Sequence, residues 1–481
     1  MTSLQIAILG FSAMLGLMVL RKPIGLSMLV VGGIGYSMLN GVGPFLAYMK
    51  TNTYHQFANY TLSVIPLFIL MGALAERAGI ARALFKAAER GFGQTRGGLA
   101  MAVIGACMAF GAICGSSVAT TATFGRAALP ELRRYRYDGG FATGTIAVGG
   151  TLGILIPPSV ILVVYAITTE QNIAKLFQAA LIPGLLAAFF YCIVIAIVVR
   201  RNPDLAPAAP AQEELPPASK PGWMRGLAIL LLAGTTALWF ADRIELTLLV
   251  LGGLLALVMA FADLAILPAL AIALIVVGGI YGGVFTPTEG AAVGTIAMLA
   301  AGLIQRSLSL ADIREALRQT AVTSGMIFII LLGAEVFGAF LALSRLPTVA
   351  AEWVGGLGYS PYLVVIAMLA FYILLGAVMD ELAMILLTLP VFFPVVQGLD
   401  FGMFPDDVAI WFGILVLIVV GIGLTAPPIG LNVFVIHQIA KDVPLFATYR
   451  GVLPFLLADV IRLALVVAFP GLALWLVRVL S

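Results

Sequence analysis

Charge is scarce in this sequence. Only 10% of its 481 residues are Asp, Glu, Lys or Arg, against about 25% in an ordinary soluble domain. The 26 basic and 23 acidic residues leave a net charge of +3, too small for a nucleic-acid partner, and no basic tail or phosphate-cradling glycine loop is present. Histidine occurs twice, as His55 and His437, which excludes a His-rich metal site. The three cysteines, Cys107, Cys114 and Cys192, all sit in apolar stretches. They have neither metal-ligand spacing nor a disulfide framework, and read as small buried hydrophobes. A basic region before the first apolar run is missing too, so the N-terminus is not a secretory signal.

What is abundant is apolar. Hydrophobic residues make up 62% of the chain and the mean hydropathy is +1.11. A soluble protein of this length would expose very large apolar patches. The chain is therefore read as an all-α polytopic membrane protein. At roughly 20 residues per span, there is room for about 12 transmembrane segments.

Apolar helices are expected at 3–20 and 23–42, a polar loop at 48–60 and a third span at 61–76. Arg21 and Lys22 follow the first span, which places the N-terminus outside and that pair in the cytoplasm. A basic segment holding Arg77, Arg82, Lys86, Arg90 and Arg96 precedes the apolar stretch 97–130, and Arg133, Arg134 and Arg136 come after it. Both clusters favour the cytoplasm, so 97–130 must enter the membrane and return. Its middle, "GAICGSSVATTATFG" (111–125), makes the tip of a re-entrant hairpin. A broken span follows at 139–168, then a helix at 177–199.

Residues 201–222 are rich in Pro and Ala and read as a cytoplasmic linker. A helix pair at 223–262 comes next. The remainder, 263–481, repeats the first 200 residues. "LRKPIGL" (20–26) aligns with "FTPTEGA" (285–291), "PLFILMGALAE" (66–76) with "IFIILLGAEVF" (327–337), and Pro157-Pro158 with Pro427-Pro428. The second hairpin then covers 362–396 and the second broken helix 408–440. Five crossings and one hairpin per half, with the extra pair between them, start the second half on the opposite side. The repeats are inverted, a signature of secondary transporters with binding sites near the midplane.

The chemistry follows from the two breaks. Proline removes a backbone donor and glycine lets the chain leave helical geometry. "GGTLGILIPPS" and "GIGLTAPPIGLN" are therefore expected to unwind and free carbonyls, which in a membrane need a partner. A hard, oxygen-seeking sodium ion suits them. One sodium site is expected from Ser116, Ser117, Gly149, Gly150, Thr151, Gly153 and Pro157, a second from Gly376, Asp380, Gly421, Gly423, Thr425 and Pro427. Thr120, Thr121, Ser159 and Asn432 are assigned to an anionic substrate between them, helped by helix N-termini after each break. Thr388 lies near the second hairpin tip. Asp380 stands out because an intramembrane acid is functional by default. Glu289, Glu335 and Glu381 are weaker candidates, and any one Ser or Thr here can simply bond its own helix.

The motifs "GAICGSSVATTATFG", "GGTLGILIPPS", "GGVFTPTEGAAVG" and "GLTAPPIGLNVFV" resemble the large membrane subunit of tripartite ATP-independent periplasmic (TRAP) transporters over nearly the whole chain. That resemblance implies an elevator-type, sodium-coupled importer of organic acids such as C4-dicarboxylates or sialate in the bacterial inner membrane. It implies two partners, a small four-helix membrane subunit and a periplasmic substrate-binding protein. No small-subunit helices precede Met1, which fits the separate-subunit form. The resemblance places one sodium site between Cys114–Thr121 and Gly149–Ser159, and the other between the Asp380 hairpin and the Gly421–Pro428 break. Some members carry Ser at the position of Cys114 and Asp at that of Thr120; backbone ligation survives both changes. The alternatives are a stand-alone elevator symporter or antiporter for anions and, of a different class, an intramembrane enzyme. The sequence lacks the paired acids, dyads or ligand clusters an enzyme needs.

Overall fold

A computed structural model describes residues 1–20, 22–92, 95–207 and 267–480. Most of the 201–222 linker and the helix pair at 223–262 lie outside the described residues, as does Arg21. Among the described residues the fold is entirely helical. The first half runs α1 (Ser3–Val19), α2 (Ile24–Asn40), α3 (Val42–Phe57), α4 (Val64–Arg77), α5 (Ile80–Phe92), α6 (Gly98–Cys114), α7 (Ser117–Arg134), α8 (Gly139–Leu155), α9 (Val160–Thr168) and α10 (Ile173–Arg201). The second runs α11 (Leu267–Tyr281), α12 (Pro287–Ile304), α13 (Leu310–Leu343), α14 (Leu346–Gly356), α15 (Pro361–Gly376), α16 (Glu381–Gln397), α17 (Pro405–Gly423), α18 (Leu431–Ile439), α19 (Leu445–Ala468) and α20 (Gly471–Leu480).

Among the described residues six helices are long and apolar enough to cross a bilayer, and α8 with α9 makes a seventh span bent by 44°. At 1.5 Å per residue the 34 residues of α13 reach about 51 Å, longer than a roughly 30 Å hydrocarbon core. Its first turn is fixed by a capping box of Ser309 and Asp312. Arg77 at the end of α4 lies 3.9 Å from Asp312 and 4.0 Å from Glu315. The basic α5 is strongly amphipathic and packs on α6 and α7. Burial pushes the carboxyl of half-buried Glu89 on α5 above its ordinary value, and the nearby Glu131 carboxylate adds to the shift.

The two halves exchange partners in matching order. α2 packs on α13 and α12 on α4; α9 packs on α16 and α18 on α7; α8 packs on α19 and α10 on α17. Helices α2, α4, α12 and α13 pack together, and α4 and α13 also pack on the hairpin helices α6 and α16. Small residues allow the close crossings between halves. Gly144 and Gly451 meet backbone to backbone where α8 crosses α19: a Cβ on Gly144 would lie 2.6 Å from the Gly451 carbonyl carbon.

Two expectations need correcting. The polar stretch 48–60 is not a loop: α3 runs to Phe57 and a short 3-10 turn follows at Tyr60–Ser63. Polarity there marks an exposed helix without a buried residue, and propensity outweighs polarity. The glycines before Pro157 also do not unwind. α8 stays helical through Leu155, and the break is confined to Ile156–Ser159. Glycine permits departure from the helix without requiring it; the missing proline N–H groups are what end it.

Candidate functional site

Each hairpin is two helices joined by a short tip. The first turns at Gly115, whose φ of +63° favours glycine, and Ser116, whose hydroxyl caps α7 by accepting from the Ala119 N–H at 3.4 Å. The second turns at Ala377–Asp380. Asp380 caps α16, its Oδ1 accepting from the N–H groups of Leu382 at 3.1 Å and Ala383 at 3.3 Å. Both breaks carry a cis bond, Pro157-Pro158 and Pro427-Pro428. Without their N–H groups, the carbonyls of Gly153, Ile154, Gly423 and Leu424 lose their regular helical partners. Leu424 regains one from the N–H of Asn432 at 3.0 Å.

The first tip lies directly against α8. A Cβ on Gly153 would come within 2.5 Å of Thr120 Oγ1 and 2.6 Å of the Ser116 carbonyl oxygen. One on Gly150 would overlap Thr121 Oγ1. These two glycines are notches into which the tip fits. Thr120 donates to the Ser116 carbonyl at 2.7 Å. Thr121 Oγ1 is buried with no partner. Asn432, on α18 of the other half, donates to Ser117 Oγ at 2.7 Å and to the Ala147 carbonyl at 3.0 Å, while its Oδ1 is buried and unpartnered. Orphaned oxygens cost free energy unless something meets them. Beside the notched face of α8, Thr121 and Asn432 are the residues whose oxygens could meet a hard cation.

The second tip repeats the close approach with backbone alone. A Cβ on Gly423 would sit 2.7 Å from Gly376. Thr425 spends its hydroxyl on its own helix, toward Gly421 and Ile422 at 3.3 and 3.1 Å. Thr388 donates to Tyr372 OH at 2.6 Å. Glu381 Oε2, beside Asp380, is buried and unpartnered.

A cavity of about 510 Å³ joins the two tips. It is lined by Ser116, Ala119, Val160, Asp380, Glu381 and Leu431 among others, with Gly72 and Glu76 of α4 and Gln319 and Thr323 of α13 as its far wall. The N-termini of α7, α9, α16 and α18 all open onto it. Their dipoles and the N–H groups not taken by caps bring partial positive charge to a cavity that the carboxyl groups of Glu76, Asp380 and Glu381 also line. Arg126 of α7 lies at the edge, hydrogen-bonded to Glu76.

The sequence-based assignments divide on this geometry. Ser116 and Asp380 line the cavity; Ser117, Gly150, Gly153, Gly376 and Gly423 lie at the tip contacts. Pro157 and Pro427 make the breaks. Gly149 faces Cys107 of α6 instead of the tip. Thr151 points away from it too, donating to the Val148 carbonyl at 2.7 Å and lying 3.2 Å from Tyr191 OH. Gly421 neighbours Thr151. None of Thr120, Thr121, Ser159 and Asn432 lines the cavity: Ser159 caps α9 through Leu162 at 3.5 Å, and Asn432 belongs with the first tip. Glu289 closes a capping box with Thr286. Glu335 accepts from Asn52 at 3.0 Å. Residues missed in sequence are Glu76, Arg126 and Gln319 at the cavity, and Tyr191, Asp459 and Arg462 behind α8. Asp459 and Arg462 stand three apart in an apolar run, a spacing that marks paired intramembrane charges.

Known proteins agree with this architecture. A crystal structure of the YdaH transporter of Alcanivorax borkumensis shares the fold, with a TM-score of 0.57 over 90% of this chain and 89% of that one at 14% identity. The C4-dicarboxylate TRAP transporter large permease protein DctM of Pseudomonas aeruginosa is 35% identical over 86% of each chain. The sialic acid large permease SiaM of Vibrio cholerae is 28% identical over 96% of each, and the ectoine large permease TeaC of Halomonas elongata 28% over 99% of each. The family description "Tripartite ATP-independent periplasmic transporter, DctM component" matches residues 11–472. With its apolar spans, paired hairpins and broken helices, the chain belongs to that family: it is a TRAP transporter large permease, a multi-pass membrane protein and not an enzyme.

Proposed function

We propose that this permease imports an organic acid coupled to sodium, in an elevator motion, across the bacterial inner membrane. One observation carries the reading: four helix N-termini and two hairpin tips converge on a single cavity between the hairpin body and α4 with α13. The N-termini favour a carboxylate. The orphaned oxygens of Thr121 and Asn432, with the carbonyls freed before each proline pair, suit sodium ions. Sodium at a tip orders the N–H groups that meet the anion, which couples the two ligands.

In this reading the hairpins and broken helices move together, carrying the cavity past α2, α4, α12 and α13. The halves are inverted repeats and the N-terminus is periplasmic. A small membrane subunit covers part of the exposed apolar scaffold, and a periplasmic binding protein delivers the substrate, as the family's tripartite name implies. The relatives transport C4-dicarboxylate, sialic acid and ectoine by name, so the substrate is drawn from small carboxylates.

The test is uptake by proteoliposomes holding this chain, its small subunit and its binding protein, with succinate, sialate and ectoine as probes. An inward sodium gradient should drive uptake of one of them. Equal uptake in choline medium, or uptake that follows ATP, would overturn the proposal.

A further inference from the structure

Behind α8, on the side away from the hairpin tip, lies a group of polar side chains that the transport reading does not use. Asp459 and Arg462 of α19 are each 1% exposed. Arg462 Nη2 lies 2.8 Å from Asp459 Oδ1, without the alignment of a straight hydrogen bond. Tyr191 of α10 donates to the Asp459 carboxylate, at 2.8 and 2.9 Å from its two oxygens. The same hydroxyl is 3.2 Å from Thr151 Oγ1 on α8. Arg462 Nη1 reaches the carbonyl of Pro183 on α10 at 3.4 Å. The next residue, Gly184, abuts the end of α8, where a Cβ would lie 2.9 Å from the Leu155 carbonyl oxygen.

α19 thus touches α10 twice, and α10 touches α8 at Thr151 and at Leu155, on either side of Gly153. A buried charge pair is costly to desolvate and adds little net stability over apolar packing. Two charges in the middle of a 24-residue apolar helix therefore need another reason. Their placement supplies one: they fix the rear face of α8 at the depth where its front face meets the tip.

We infer that Tyr191, Asp459 and Arg462 are positioning residues for the first sodium site, holding α8 and its break in register with Ser116–Thr121. This rests on the sodium reading above. A misplacement of about 1 Å at a binding constellation costs far more in ligand affinity than in folding. The network therefore governs the affinity for sodium more than the stability of the fold.

The experiment measures thermal unfolding of the purified, sodium-free protein as sodium replaces choline, and reads the sodium concentration at half-maximal stabilisation. Tyr191→Phe keeps the ion pair and removes the hydroxyl that ties the Asp459 carboxylate to α8 at Thr151. It should raise that concentration at least about fivefold, with the melting temperature in choline within a few degrees of the unaltered protein. Thr151→Val should shift that concentration in the same direction, and the double variant no more than Tyr191→Phe alone, since Thr151 acts through that hydroxyl. Tyr281→Phe deletes a comparable hydroxyl, bonded to the Phe177 carbonyl at 2.8 Å on α10 away from the break; it should leave the sodium response unchanged. A normal half-maximal concentration in Tyr191→Phe, or a shift equally large in Tyr281→Phe, would overturn the inference. Absence of any sodium response in the unaltered protein would overturn the sodium reading beneath it.

Discussion

The two proline breaks share a motif but not an environment. Ile156 to Ser159 are all buried, and the notches at Gly150 and Gly153 are filled by the side chains of Thr120 and Thr121. Pro427, Pro428 and Ile429 are exposed. Their approach to the second hairpin is backbone on backbone at Gly376 and Gly423. The arm after the first break starts on a side-chain cap, Ser159; the arm after the second starts on Gly430 at φ +58° with no such cap. Tyr449 holds the exposed loop instead, donating to the Pro428 carbonyl at 3.0 Å. A repeated motif therefore makes two breaks of unequal exposure: an enclosed one packed by side chains, and an open one held by backbone contacts, with Asp380 and Glu381 at the facing tip.

The contrast can be broken at its strongest point first. Gly153→Ala places a methyl against the Ser116 carbonyl and Thr120, and uptake should fall about 100-fold. Asp380→Asn keeps the α16 cap, since Asn also accepts N–H groups, but removes the charge. The sodium concentration for half-maximal uptake should rise about tenfold. Tyr449→Phe frees a carbonyl that already faces solvent, and initial uptake should fall only about threefold. Gly421→Ala tests a buried glycine of the second break that faces Thr151 and not a hairpin tip, with Thr151 Cβ at 3.7 Å from a new Cβ, an ordinary contact. Uptake should stay within about twofold of the unaltered protein. A loss there equal to that of Gly153→Ala would show that contact with a tip does not set the size of the effect.

Much of this was legible from residue types. Hairpin tips, breaks and repeat offsets follow from where Gly, Pro, Ser and Asp interrupt apolar runs, because a membrane tolerates few interruptions. Which way a side chain faces was not legible. Gly149, Gly150, Thr151 and Gly153 look alike in sequence, yet only Gly150 and Gly153 meet the tip, since successive residues turn by about 100° around a helix. Asn432, expected to meet an anionic substrate between the two sodium sites, instead bonds Ser117 and Ala147. The exchange of partners between halves decides that contact, and no local pattern encodes it. The place of Tyr191 beside Asp459 and Arg462 was hidden for a similar reason: Tyr191 and Asp459 are 268 residues apart and meet only when α10 packs on α19.

The central claim is that each break, with its hairpin tip, holds one sodium ion. Equilibrium binding of radioactive sodium to the purified protein tests it most directly. The account predicts two saturable ions per chain, with Gly153→Ala removing one and Asp380→Asn weakening the other about tenfold. No saturable binding above a choline background, or two ions held at unaltered affinity in both variants, would contradict it.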